Sequence, residues 1–229
     1  MSSPQLQNLL EQYGAIGLER QRAALDFVED KPWNVDLSTG EITFGGNLVL
    51  PMQILGSFSH GTRSWMWAWA NTQMGSSAQV MATATKMRML GVERSIPEFT
   101  EEKFPADENL CHQISLAVLG LSGAGFYYAG NYGQGTAFMT ADSPLPTRDP
   151  AVNPEAILAM FPRFISIFEV NHKNALRHYC QAKGFTVIEG GSNLTADKGR
   201  DRIFATFDEL GRLSKLNGEL DGKHHSAVQ

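Results

Sequence analysis

Cysteine is scarce in this chain, which has only Cys111 and Cys180 among its 229 residues. This content excludes a disulfide-stapled scaffold, and the distance between the two positions excludes a zinc site of the C-x-x-C type. Both residues lie among apolar neighbours in segments with helical spacing, so we expect buried free thiols. Unpaired thiols are typical of a reducing compartment, and we therefore expect a cytoplasmic protein.

The sequence also lacks long apolar runs and a surplus of positive charge. No stretch approaches the roughly 18 apolar residues that a membrane span requires. The first residues show neither a basic segment nor the apolar core of a signal peptide. The formal net charge is −5, and no basic stripe is present. We expect no membrane association and no nucleic-acid partner.

No complete catalytic, metal-binding or cofactor motif is present. The segment 57–61 is similar to a nucleophile elbow, but it lacks the first glycine and leads into a strand instead of a helix. Glu169 and His172 have the spacing of a carboxylate-bridged metal motif, but no second copy exists. The glycine-rich segment 130–135 lacks the lysine of a phosphate-binding loop. We therefore name no catalytic residue, no metal ligand and no cofactor.

Tryptophan is concentrated in one stretch, where Trp65, Trp67 and Trp69 occupy alternate positions. A period of two is typical of a strand, and it predicts that the three rings lie on one face. The residues between them are also apolar, which indicates a central strand covered on both faces. Core packing is the main interpretation, and an aromatic wall for a ligand is the alternative.

The residues around this stretch carry a family resemblance. The segment 54–59 reads I-L-G-S-F-S, and the segment 65–71 reads W-M-W-A-W-A-N. Together they resemble the L-G-S/T-x-S and W-x-W-A-W-A-N signature of a family of uncharacterised bacterial domains. The likeness extends from about Trp33 to Asp142. The resemblance implies a bacterial protein and a single fold unit, and it brings no assigned activity.

Helical and strand patterns alternate along the chain and predict an α+β fold of antiparallel meanders packed against helices. We expect an α+β domain over residues 1–142 that contains the tryptophan-rich strand. Three prolines in residues 143–153 indicate a linker. A helix followed by a meander of three or four strands occupies residues 154–220, and residues 221–229 form a flexible tail.

Turn residues define the individual meanders. Ser38–Gly40 and Gly45–Asn47 predict two tight turns in the first meander. The long strand that follows should be broken or bulged at Pro51, because proline donates no ladder hydrogen bond. A second hairpin, over residues 126–138, has a glycine-rich tip. Whether the two units arose by duplication stays open, because the Asp…Gly pattern that they share is common hairpin chemistry.

The function that we expect is non-catalytic binding of a small molecule or a protein partner. Loops positioned by a rigid sheet often carry binding, and the hairpin tip, the turn after residue 59 and the end of the tryptophan strand are the candidates. The expected ligand-binding residues are His60, Arg63, Trp69, Asn71, Tyr127, Tyr128, Asn131 and Tyr132. The alternative is a small hydrolase or isomerase whose site contains His60, Arg63, Tyr127 and Tyr128. The oligomeric state is left open.

Overall fold

A computed structural model describes residues 2–75, 77–142 and 154–227. Within these ranges the chain forms six α-helices and two antiparallel sheets, which confirms the α+β class. The helices are α1 Pro4–Val28, α2 Ala82–Arg94, α3 Pro97–Thr100, α4 Glu108–Ser122, α5 Glu155–Ile167 and α6 His172–Ala182. The first sheet contains β1 Trp33–Asp36, β2 Glu41–Phe44, β3 Leu48–Ser59, β4 Ser64–Trp67, β5 Lys103–Pro105, β6 Phe126–Asn131 and β7 Gly135–Ala141. The second contains β8 Thr186–Gly190, β9 Asn193–Lys198, β10 Asp201–Phe207, β11 Leu213–Leu220 and β12 Lys223–Ser226.

Strand β3 is the longest strand and organises the first sheet. It pairs with β2 near its start, with β4 near its end, and with β7 from Met52 to Ser59. The expected break at Pro51 is wrong, because β3 runs through this residue without interruption. The register shifts instead at Leu55, where a bulge separates Ile54 from Gly56. A bulge of this kind bends the strand and increases its twist.

The tryptophan strand is shorter than the alternation of tryptophans predicts. Trp65 and Trp67 lie on one face of β4, both completely buried, with ring centroids 5.3 Å apart. Trp69 lies in a 3₁₀ turn over residues 68–70, so its expected place in the strand is wrong. The physical reason lies in β3, because the backbone N–H with which a longer β4 would pair is already bonded to another segment. The Ile54 N–H donates to the Val80 carbonyl at 2.9 Å.

Helix α1 lies between two hydrophobic cores. Its residues Leu6 and Leu9 belong to the core of the first sheet, whereas Leu10 and Ile16 belong to the core under the second sheet. Because α1 contributes to both cores, the division of the chain into two units stays a prediction. The linker expected at residues 143–153 lies outside the described residues.

The second sheet is a five-stranded meander in the order β12-β11-β10-β9-β8, packed on α5 and α6. The sequence predicts three or four strands here and a tail from Asp221. In the structure the segment 223–226 forms β12 and pairs with β11. No helix in the described part of the chain is long and apolar enough to cross a membrane.

Both cysteines are buried free thiols that form no disulfide, as the sequence predicts. Cys111 lies in α4 and Cys180 in α6. Burial raises the pKa of each thiol to about 12, because the low-polarity interior disfavours the thiolate. Thiols of this kind react slowly, since the thiolate is the nucleophile.

Candidate functional site

One group of the predicted binding residues does come together at one end of the first sheet. The His60 N–H donates to the Gln134 carbonyl at 3.2 Å, and its Nε2 lies 3.0 Å from Thr136 Oγ1. The turn after His60 and the tip of the β6–β7 hairpin are therefore neighbours. Asn131 and Tyr132 lie in this tip, and Arg63 is exposed in the turn.

A second group lies beyond the other end of β4. Trp69 is half-buried, and the guanidinium of Arg88 sits 4.4 Å from the centroid of its ring. The Asn71 side chain accepts a hydrogen bond from the Gln73 N–H at 3.2 Å, so it stabilises its own turn. The length of β4 separates these two residues from His60 and Arg63.

The two neighbouring tyrosines of β6 point to opposite faces of the sheet. Tyr127 lies under α4, where its hydroxyl is 3.0 Å from His112 Nδ1. Burial raises the pKa of Tyr127 to about 12 and lowers the pKa of His112. On the other face, the Tyr128 ring packs edge-on against Trp33 and Phe44. The structure thus does not gather the eight predicted residues into one site.

A polar cleft of about 740 Å³ opens elsewhere, between the first turn of α2 and the last turn of α4. The ends of β3 and β7 and the β1–β2 turn complete its walls. Its lining residues are Ser38, Thr39, Gly40, Glu41, Pro51, Met52, Gln53, Ser77, Gln79, Val80, Thr83, Lys86, Met87, Leu121, Ser122, Gly123, Ala124, Thr140, Ala141 and Asp142. None of the eight predicted residues is among them.

Two of the lining residues, Gln53 and Thr140, are cross-strand neighbours in β3 and β7. The Gln53 side-chain oxygen accepts hydrogen bonds from the Thr83 N–H at 2.6 Å and from Thr83 Oγ1 at 2.7 Å. Gln53 thereby caps α2, whose own capping residue, Met81, offers no side-chain acceptor. The amide nitrogen of Gln53 has no hydrogen-bond partner among the described residues, so its two N–H donors remain available.

Thr140 is only 3% exposed. Its hydroxyl donates to and accepts from no group in the part of the chain that the structure describes. Its register partners are Gln53 on β3 and Tyr127 on β6, so its side chain lies on the face that α2 and α4 cover. Its oxygen is accessible from the cleft, because it is not one of the fully buried, unpaired polar atoms of the described residues. The hydroxyl of Thr140 can therefore bond a molecule that occupies the cleft.

Opposite charges lie on the two sides of the cleft. The positive end of the α2 dipole and Lys86 form one side. Asp142 forms the other, beside the end of α4, whose dipole is offset by the Arg20 guanidinium on the Ala124 carbonyl. Asp142 is held next to the end of α4, because the Gly125 N–H donates to the Ala141 carbonyl at 2.9 Å. No ion pair within the described ranges involves Lys86, Glu41 or Asp142.

The sequence reasoning missed the cleft, although two weak signals were present. Gln53 interrupts the apolar run of β3, and Thr140 follows Phe138-Met139 in the buried second half of β7. A polar residue inside an apolar strand indicates either a hydrogen-bonded core group or a site. As for metals, the described residues contain no group of three or more histidine, cysteine, aspartate or glutamate side chains that could hold an ion.

The comparisons with known proteins give one match. The model of a family described as a family of unknown function, DUF6882, matches residues 7–144, which is more than half of the chain. The matched region runs from α1 to β7 and contains every residue that lines the cleft. No curated protein and no solved structure matches the chain.

Proposed function

This chain belongs to DUF6882, a family of unknown function, and from the cleft in its matched region we propose that it is a non-catalytic module that binds a small polar molecule. The volume of about 740 Å³ falls within the roughly 300–1,000 Å³ of known ligand sites. A bacterial origin and a cytoplasmic location are parts of the same proposal.

The observation that carries the proposal is the hydroxyl of Thr140. The Thr140 side chain has no hydrogen-bond partner among the described residues, and its oxygen is accessible from the cleft. A ligand that fills the cleft would hydrogen-bond this hydroxyl and the side-chain N–H groups of Gln53. The lining is mostly polar with an apolar strip of Met52, Val80 and Met87, so the cleft suits a small polar molecule.

The alternative enzyme gains no support from the arrangement of its residues. His60 and Arg63 lie at the end of the sheet near the hairpin tip, whereas Tyr127 is bonded to His112 under α4. Tyr128 lies on the opposite face of β6 from Tyr127. This distribution gives no support to a shared catalytic site of the four groups.

The test combines a thermal-shift screen of small polar metabolites with the variant Thr140→Val. Ligands that bind the folded state raise its melting temperature. Valine keeps the shape of threonine and removes the unpaired hydroxyl, so we expect the free protein to be as stable as wild type or more stable. Ligand affinity should fall by at least about fivefold, the equivalent of one hydrogen bond.

The matched control is Thr195→Val, at a half-buried position in β9 of the second sheet. This variant should bind the same ligand like wild type. If every ligand from the screen binds Thr140→Val and wild type equally, the cleft is not the binding site and the proposal is wrong.

A further inference from the structure

We infer that the ligand of the cleft is a small zwitterion of the amino-acid type with an apolar side chain. This inference rests on the proposed function and adds the chemical class of the ligand. It depends on three features of the cleft that are separate in space. These are a positive side, a negative side and an apolar strip.

The positive side is formed by α2. This helix has 13 residues and its N-terminal turn lines the cleft, so its dipole presents partial positive charge there. Lys86 lines the same side. The amide of Thr83 is already bonded to Gln53. A ligand carboxylate would therefore bind the Lys86 ammonium and the side-chain N–H groups of Gln53.

The negative side lies beside the C-terminal end of α4, at Ser122 and Gly123. The α4 dipole contributes little, because the Arg20 guanidinium donates to the Ala124 carbonyl at 3.1 Å and lies against Gly123. The negative charge is that of Asp142, and Glu41 adds a second carboxylate to the lining from the start of β2. A ligand ammonium group would bind Asp142 on this side.

The charges argue against a ligand that carries only one sign. A simple anion would face two carboxylates and gain only one lysine, since the Thr83 amide is occupied. A simple cation would face Lys86 and the positive end of α2. A molecule that carries both charges satisfies both sides at once, which is the arrangement that electrostatic complementarity requires.

The apolar strip defines the third part of the ligand. Met52, Val80 and Met87 line the cleft and are each at most 5% exposed. Leu121 adds a partly buried apolar side chain from α4. An aliphatic or thioether side chain of the ligand would cover this strip, and burial of its apolar surface would add to the affinity.

The experiment is isothermal titration calorimetry of the full chain with leucine and methionine. Leucinamide, which lacks the carboxylate, and N-acetyl-leucine, which lacks the ammonium group, are the matched probes. Each derivative loses the charged hydrogen bonds of one end of leucine, so we expect both to bind at least about tenfold more weakly than leucine.

Two variants test which side of the cleft binds which charged group of the ligand. Lys86→Met should weaken the binding of leucine and leave the affinity for leucinamide unchanged, because leucinamide has no carboxylate for Lys86 to bind. The double variant Asp142→Asn, Glu41→Gln should weaken the binding of leucine and leave the affinity for N-acetyl-leucine unchanged. All three side chains are exposed, so we expect each variant to fold like wild type.

Several outcomes would overturn the inference. Equal affinity for leucine and its two derivatives would exclude recognition of a zwitterion. An equal loss of affinity for leucine and for leucinamide in Lys86→Met would exclude it as well. If neutral sugars bind and Thr140→Val abolishes that binding, the inferred ligand class is wrong while the proposed function stands. If amino acids do not bind at millimolar concentration, the inference of a zwitterion fails, and if no small polar metabolite of the screen binds, the proposed function fails as well.

Discussion

At the scale of single residues, Gly56 explains why glycine precedes the tryptophans in the signature segment. A Cβ atom at this position would lie 2.7 Å from the Trp65 ring and 2.5 Å from the Met66 carbonyl oxygen. Neither group can move away, since Trp65 is completely buried and Met66 belongs to the paired strand. The ring of Trp65 therefore packs directly on the backbone of β3.

We predict that Gly56→Ala destabilises the fold by about 1–3 kcal/mol, the usual cost of an added methyl group in a packed core. Urea unfolding followed by tryptophan fluorescence measures this change. Gly61→Ala is the matched control, because nothing lies within 4 Å of its Cβ position and its backbone is not left-handed. An unchanged midpoint for Gly56→Ala would mean that the packing of Trp65 is not as tight as described.

At the scale of elements, the ends of two helices are stabilised by side chains from distant parts of the chain. Gln53 of β3 caps α2, as described above. The N-terminus of α1 is bound by Glu98 of α3, whose carboxylate accepts from the Ser3 N–H at 2.5 Å and from Ser3 Oγ at 2.6 Å. The Glu98 carbonyl in turn accepts from Trp67 Nε1 at 2.6 Å. The buried tryptophan and the start of α1 therefore share one residue.

We predict that Glu98→Ala lowers the free energy of unfolding by about 1–3 kcal/mol, because the Ser3 N–H would lose its partner and α1 its negative charge at the positive end. The backbone bond to Trp67 would survive. Thermal unfolding by circular dichroism measures the change, and Glu102→Ala, at an exposed position nearby, is the control. Equal melting temperatures for the two variants would contradict this role of Glu98.

At the scale of the whole molecule, a buried ion pair joins the matched region to the C-terminal part. Lys183, which is completely buried at the end of α6, lies 2.8 Å from the Glu19 carboxylate of α1. The Tyr179 hydroxyl donates to the other oxygen of Glu19 at 2.5 Å. Burial is the main cause that lowers the pKa of Lys183. The pair thus fixes how α6 packs on α1.

We predict that Glu19→Ala costs about 3–5 kcal/mol, because it leaves a buried ammonium group without its main counter-charge. The double variant Glu19→Ala with Lys183→Met should be more stable than Glu19→Ala alone, since the second change removes that charge. The partly exposed pair of Lys173 and Glu189 is the comparison, and Glu189→Ala should cost less than about 1 kcal/mol. Chemical denaturation of wild type and the three variants tests the prediction, and a double variant that is no more stable than Glu19→Ala would contradict it.

The sequence by itself determined the features that depend on neighbouring residues. The α+β class and the hairpins at Gly40 and at Gly45 follow from periodicity and turn residues. The burial of Trp65, Trp67 and the two cysteines followed from apolar surroundings. These signals act over a few residues, so they can be read without the tertiary structure.

Only the tertiary structure decided where the polar groups meet. Trp69 does not continue the tryptophan strand because the Ile54 N–H already donates to the carbonyl of Val80, which belongs to a later segment. The cleft exists because β3 and β7 align Gln53 with Thr140, and because two helix ends from separate segments meet above them. Register between distant strands and the approach of helix ends depend on the packing of the whole core, for which no local pattern in the sequence is a substitute.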